Sequence, residues 1–183
     1  MQPMANIALR AARQAADYLV RSVDRIDELD IQTKSPNDFV SDVDRTAEAI
    51  IVDQIRETYP DHQILAEESG RHAGDSDVTW VIDPLDGTLN FLQGIPHFAV
   101  SIGILKGKHL EHGSIVDPLR GEEFVASRGY GAQLNGKRIR VSQRIKLEDC
   151  VLATGIPPGS VQERLDEYAG PLTELTRPVS YTH

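Results

Sequence analysis

WVIDPLDGTLNF, residues 80–91, sets an apolar run directly against two aspartates, a glycine and a threonine. Carboxylates at the mouth of a buried strand are costly unless something pairs with them. Asp-Pro and Asp-Gly are common turn pairs, so the stretch alone reads as a surface turn. The competing reading is a cage for hard cations and phosphate. The flanking sequence favours the cage: VTWVI precedes the acids without a break and FAVSIGIL follows at 98–105. In addition, AEES at 66–69 brings Glu67 and Glu68 to the end of a preceding strand.

Outward from this block, short apolar runs between polar and glycine punctuation predict strands at 63–66 (QILA), 78–83 (VTWVID), 98–105, 111–118 (EHGSIVDP) and 122–127 (EEFVAS). FAVSIGIL mixes β-branched and small residues without clean alternation, which predicts a central strand covered on both faces. Asn135-Gly136 predicts a hairpin turn. Upstream, Ile7, Ala8, Ala12, Ala15, Leu19, Val23 and Ile26 recur at helical spacing and predict a helix from Ala5 to about Ile26. A second helix, with Ala47, Ile50, Ile51 and Ile55 inward, starts at Asp42 or Asp44 and runs to about Tyr59, where Pro60 closes it. Between the two, KSPNDFVSDVD (34–44) carries the breakers Ser35-Pro36 and Asn37-Asp38.

Past the hairpin, VLATG at 151–155 predicts a strand and residues from about Ser160 to Leu175 a helix. Residues 1–147 therefore read as one α+β unit. Residues 148–183 read as the beginning of a second, too short to bury a core of its own.

A formal net charge of -9 and a pI near 5.1 argue against direct DNA binding, which depends on neutralising phosphates. Cys150 has no partner for an internal disulfide and reads as a small buried hydrophobe. No apolar run is long enough to span a membrane, and Arg10, Arg13 and Asp17 interrupt any signal-peptide core. A cytoplasmic location is expected. The histidines lack zinc-site spacing, and the basic cluster GKRIRVSQRIK (136–146) reads as a solvated hairpin edge.

Mg²⁺ takes oxygen ligands and is held by a few carboxylates together with substrate phosphate. Two such ions about 4 Å apart can clamp the attacking and leaving oxygens of a phosphoryl group. Asp83 at a strand end could bridge them, with Asp86 serving one ion and the Leu85 carbonyl the other. If LDGTLNF winds into a helical turn, Gly87 and Thr88 present backbone N–H groups to an anion. The spacing is not D-x-D-G-T, which would put both acids on one strand face, nor the alternate-position acids of an EF-hand loop.

AEES, WVIDPLDGTLNF and PHFAVSIGI together resemble the inositol monophosphatase family of Mg²⁺-dependent, lithium-sensitive phosphatases, and GAQLNGKRIRVS is similar to its bacterial inositol-1-monophosphatase branch. The resemblance implies a layered α-β-α-β-α sugar-phosphatase fold, with the N-terminal helix pair and mainly antiparallel sheet complete and the C-terminal α/β half incomplete. It implies that Glu67, Asp83 and the Leu85 carbonyl bind a first metal, and Asp83 and Asp86 a second. Leu85, Asp86, Gly87 and Thr88 would form the substrate-phosphate wall, and Glu67 with the Thr88 hydroxyl would orient the attacking water.

Asp44 would support the metals from behind, and Lys34 would lie on a flap near them. The implied reaction is hydrolysis of myo-inositol monophosphate by metal-activated water. Fructose 1,6-bisphosphate and histidinol phosphate are related substrates. The other implied role is that of an accessory factor in transcription antitermination or ribosome biogenesis, acting by protein binding. A homodimer is implied as well. Family members are longer, so the chain is expected to be a truncated form with the ring-contacting segment and the last metal carboxylate missing, and to be much less active than its parent.

Overall fold

A computed structural model describes residues 2–25, 31–35, 38–151, 153 and 161–176, and separates the chain into two compact units, 1–140 and 141–183. The first unit opens with α1 (Pro3–Val23), whose Pro3 occupies the first turn, where no N–H is needed. Its buried face is Ala5, Ala8, Ala12, Ala15, Ala16 and Leu19. These small side chains let α1 approach both α2 (Asp42–Thr58) and the sheet closely. Asp42 and Asp44 in the first turn of α2 complement the positive end of its dipole.

Between the helices lie β1 (Ile31–Ser35) and β2 (Asp38–Ser41), an antiparallel pair. The sequence pointed only to breakers there. Ser35 pairs with Asp38, and the two breakers between them, Pro36 and Asn37, lie outside the described residues.

An eight-stranded sheet follows, built from β3 (Gln63–Ala66), β4 (Gly70–His72), β5 (Val78–Asp86), β6 (Ala99–Lys106), β7 (His109–Asp117), β8 (Glu122–Ser127), β9 (Gly131–Leu134) and β10 (Lys137–Ile139). Its order is β10-β9-β8-β7-β6-β5-β3-β4, antiparallel except for the parallel pair β3 and β5. Asn135 (φ 49°) and Gly136 (φ 74°) both take the left-handed conformation that a two-residue hairpin turn requires.

Ile64, Trp80, Ile82, Val100, Ile102 and Ile104 point to the helices and are all but fully buried. On the opposite face Leu65, Val81 and Ile115 are exposed. The expectation that β6 is covered on both faces is thus corrected for this unit. Its alternation was blurred because Ser101 and Gly103 are small residues on the half-exposed side.

Trp80 donates its indole N–H to His62 Nδ1 at 3.0 Å, and Tyr59 stacks on His62 at a 4.5 Å centroid separation. At the far side of the helix layer Arg13 makes a bidentate pair with Glu123 at 2.6 Å for each bond, tying α1 to β8. That pairing raises the pKa of Arg13 and lowers that of Glu123.

In the second unit a short 3-10 helix (Leu147–Asp149) precedes α4 (Val161–Thr176). Cys150 is half-buried rather than buried, its thiol donating to the Lys146 carbonyl. Of the strand expected at 151–155, only Val151 and Ala153 lie within the described residues, and neither is in a strand. Among the described residues no helix is long and apolar enough to cross a membrane.

Candidate metal and phosphate site

The parallel pairing of β3 with β5 assembles the site. Ala66 pairs with Ile82, so the residues that follow, Glu67 and Asp83, emerge side by side. The Glu67 N–H donates to the Ile82 carbonyl at 3.2 Å, holding that alignment past the end of β3. The Glu67 side chain comes within hydrogen-bonding reach of Asp83, and a cation would offset the negative charge of two such carboxyls. β5 extends three residues further than predicted: Asp83 pairs with Ser101 and Asp86 with Ala99, and the irregularity between them is a bulge. Pro84, which has no N–H to lose, sits in the bulge. The Leu85 N–H turns back to Asp83 Oδ1 at 3.2 Å, closing the loop over its own aspartate.

The Asp83 carboxyl is held above the usual carboxylate range. Burial is the main cause, and the charges of Asp86 and Asp44 add to it, while the hydrogen bonds from Glu67 and the Leu85 N–H partly offset them. A site built from hard oxygens and short of positive charge matches the preferences of Mg²⁺. Glu67 and Asp86 are exposed and can turn toward an ion, whereas Asp83 and Leu85 are held by the bulge. Among the described residues, no group of three His, Cys, Asp or Glu side chains is spaced to hold a metal ion. The donor set fits Mg²⁺ by the chemistry of its oxygens, with Glu67 and Asp83 side by side at its centre.

Gly87 follows at φ 96°, and a Cβ there would come within 2.9 Å of the His97 carbonyl oxygen. Only glycine makes this turn without displacing the β6 approach. It leads into α3 (Thr88–Leu92), the helical turn expected for LDGTLNF, anchored by the buried Phe91 edge-on to Phe98. Asn90 fastens the same turn by donating to the His97 carbonyl at 2.8 Å. A cleft of about 250 Å³ opens beside Asp86 and Gly87, lined also by Asn90, His97 and Asp117.

Behind the site stands α2. Asp44, 1% exposed, accepts a hydrogen bond from Thr88 Oγ1 at 3.1 Å, and the Leu85 carbonyl lies 3.0 Å from the same hydroxyl. One turn further along, Glu48, 3% exposed, accepts the backbone N–H of Glu68 at 2.7 Å and of Ser69 at 2.9 Å. Sequence reasoning missed Glu48. The available signal was an acid between Ala47 and Ile51 on the inward face of α2, four residues after Asp44. The structure thus brings together Glu67, Asp83, Leu85, Asp86, Gly87, Thr88 and Asp44. For Lys34 it gives only a backbone position on β1.

Comparison with known proteins places the chain among relatives. The chain is 52% identical over 172 residues to Nus factor SuhB of Pseudomonas aeruginosa, covering 92% of this chain and 64% of that protein. It is 52% identical over 159 residues to Nus factor SuhB of Escherichia coli K12, covering 86% and 59%. It thus spans somewhat less than two thirds of the length of these relatives. The extragenic suppressor protein suhB of Bartonella henselae superposes with a TM-score of 0.92 at 40% identity, over 98% of this chain and 69% of that one. An IMPase of Thermotoga maritima superposes at 0.80 with 32% identity, over 92% and 65%. Residues 1–180 match the Inositol monophosphatase family, and the chain, with its bulged DPLDGT strand beside the Glu67 turn, belongs to that family.

Proposed function

We propose that the protein is a Mg²⁺-dependent phosphomonoesterase that hydrolyses myo-inositol monophosphate to inositol and phosphate. The observation carrying this reading is the parallel register that sets Glu67 beside Asp83, flanked by Asp86 and backed by an Asp44 that engages Thr88. Glu67, Asp83, Asp86 and the Leu85 carbonyl would hold the ions. When bound, Mg²⁺ supplies positive charge that offsets the carboxylates and the substrate phosphate and makes water a stronger nucleophile. With its proton committed to Asp44 or Leu85, the Thr88 hydroxyl has lone pairs with which to accept a hydrogen bond from the attacking water. The Glu67 carboxylate accepts the other. The N–H groups of Gly87 and Thr88 hold the phosphate, and Leu85 and Asp86 complete that wall. Lithium sensitivity, a homodimer and a cytoplasmic location belong to the same reading.

The test is phosphate release from inositol 1-phosphate, fructose 1,6-bisphosphate and histidinol phosphate with and without Mg²⁺. The proposal expects Mg²⁺-dependent turnover that favours the inositol ester and disappears in Asp83→Asn. Turnover that survives Asp83→Asn overturns it.

A second reading is favoured by the relatives named Nus factor at 52% identity. In it the protein acts as an accessory factor bound to a transcription complex. The exposed Lys137, Arg138 and Arg140 on the β10 hairpin offer a surface for a protein partner. Reversing Arg138 and Arg140 to Glu would then abolish partner binding and spare hydrolysis, whereas Asp83→Asn would do the opposite.

A further inference from the structure

We infer that Glu48 is a positioning residue for the metal corner, acting through the backbone of the Glu67–Ser69 turn. The inference rests on the phosphatase reading and adds to it a residue outside the DPLDGT and EES motifs. Three consecutive N–H groups leave this turn in two directions. That of Glu67 goes to the Ile82 carbonyl on β5, while those of Glu68 and Ser69 go to separate oxygens of the Glu48 carboxylate, Oε2 and Oε1. The Glu67 backbone is therefore held from the sheet on one side and from α2 on the other.

A carboxylate spanning two adjacent backbone N–H groups is an acceptor for both at once. No neutral side chain of the same length reproduces it, because an amide would turn its NH₂ toward one of the donors. Glu48 is 3% exposed, so the pairing is shielded from competing water. The Glu67 carboxylate is exposed, and the course of its backbone sets where that side chain starts and how it meets Asp83. The helical spacing of Asp44 and Glu48 extends the point. From one face of α2, Asp44 holds Thr88 after β5 and Glu48 holds the turn after β3, so one rigid helix sets the separation of the two strand ends that carry the ligands.

The test uses the full chain and three variants, Glu48→Gln, Ile55→Val and Asp83→Asn. Mg²⁺ binding is measured by calorimetry well below the unfolding temperature, and thermal midpoints are recorded without Mg²⁺. Glu48→Gln is expected to weaken Mg²⁺ binding by about tenfold, the lower end for residues that orient metal ligands. Amide NMR should show the downfield signals of Glu68 and Ser69 displaced. Ile55→Val truncates the fully buried core of the same helix away from the turn, and should lower the midpoint with Mg²⁺ affinity unchanged. Asp83→Asn should lose binding altogether. Wild-type affinity in Glu48→Gln alongside a binding-deficient Asp83→Asn would overturn the positioning role and leave the phosphatase reading standing. A wild-type chain that binds no Mg²⁺ would overturn both.

Discussion

Thr88 Oγ1 donates to Asp44 Oδ1 at 3.1 Å across 44 residues of chain, joining the first turn of α2 to the loop that leaves β5. The Leu85 carbonyl competes for the same proton at 3.0 Å, so the hydroxyl acts as a donor toward the protein in either orientation. Thr88→Val and Asp44→Ala, which remove the donor and the acceptor respectively, should each cut hydrolysis at least tenfold. A double-mutant cycle in stability should show a coupling of about 1.5 kcal/mol, the lower end for a hydrogen bond to a charged group. Additive effects of the two substitutions would refute the contact.

Asp83→Asn should leave the Mg²⁺-free chain more stable, with a thermal midpoint raised by a few degrees, while abolishing function. Asparagine keeps the oxygen that accepts the Leu85 N–H and removes a buried charge set against Asp86 and Asp44. Such opposition of stability and activity is a mark of a functional carboxylate cluster. A lower midpoint without Mg²⁺ would contradict it.

Gly87→Ala should be both inactive and destabilised, by about 1–3 kcal/mol in urea unfolding, because the left-handed φ and the His97 carbonyl at 2.9 Å leave no room for a Cβ. Gly94→Ala, also at positive φ but with nothing within 4 Å of its Cβ, should cost stability and leave turnover near normal.

His62 gives the fold a pH dependence with a defined sign. Its pKa is lowered, chiefly by burial between Tyr59 and Trp80 and further by Arg56, while Asp61 and Asp77 act in the opposite direction. In the native state Nδ1 accepts the Trp80 N–H and is unprotonated. As pH falls below about 6.5 the unfolded chain takes up a proton that the folded chain still refuses, so His62's contribution is complete above that value and is lost on acidification toward its native pKa. Thermal midpoints between pH 7.5 and 5.5 should therefore fall less steeply in His62→Gln than in the wild type. Parallel slopes would refute the assignment.

Ser114 is 1% exposed, and its hydroxyl is the buried side-chain polar atom left without a hydrogen-bond partner among the described residues. Ser114→Ala should stabilise the chain by about 1 kcal/mol in urea titration, since it removes a desolvation cost and no bond. A destabilisation of that size would reveal a partner.

Much of this was legible in the sequence, for reasons particular residues make plain. QILA and EEFVAS match β3 and β8 residue for residue because turn chemistry brackets each run. Asn135-Gly136 specified its turn because few other pairs adopt two successive left-handed conformations at low cost. The proposed metal corner could be put together from the sequence because Asp83, Asp86, Gly87 and Thr88 are close along the chain.

What escaped depended on contacts across distance. That Glu67 lies beside Asp83 was expected from the family resemblance alone, since the parallel register of β3 on β5 that places them so is encoded by no local pattern. Glu48 looked like an ordinary helix acid until the Glu68 and Ser69 N–H groups were found pointing at it. The β1–β2 pair was hidden because its strands, IQTKS and DFVS, are short and mostly polar.

The identity of the corner itself is tested most directly by anomalous diffraction from crystals grown with Mn²⁺ in place of Mg²⁺ and with inorganic phosphate present. A manganese peak between the Glu67 and Asp83 carboxylates, with phosphate density against Gly87 and Thr88, is the result expected here. Manganese bound elsewhere, with Glu67 and Asp83 still in direct contact at neutral pH, would contradict the assignment of WVIDPLDGTLNF as a cation and phosphate site.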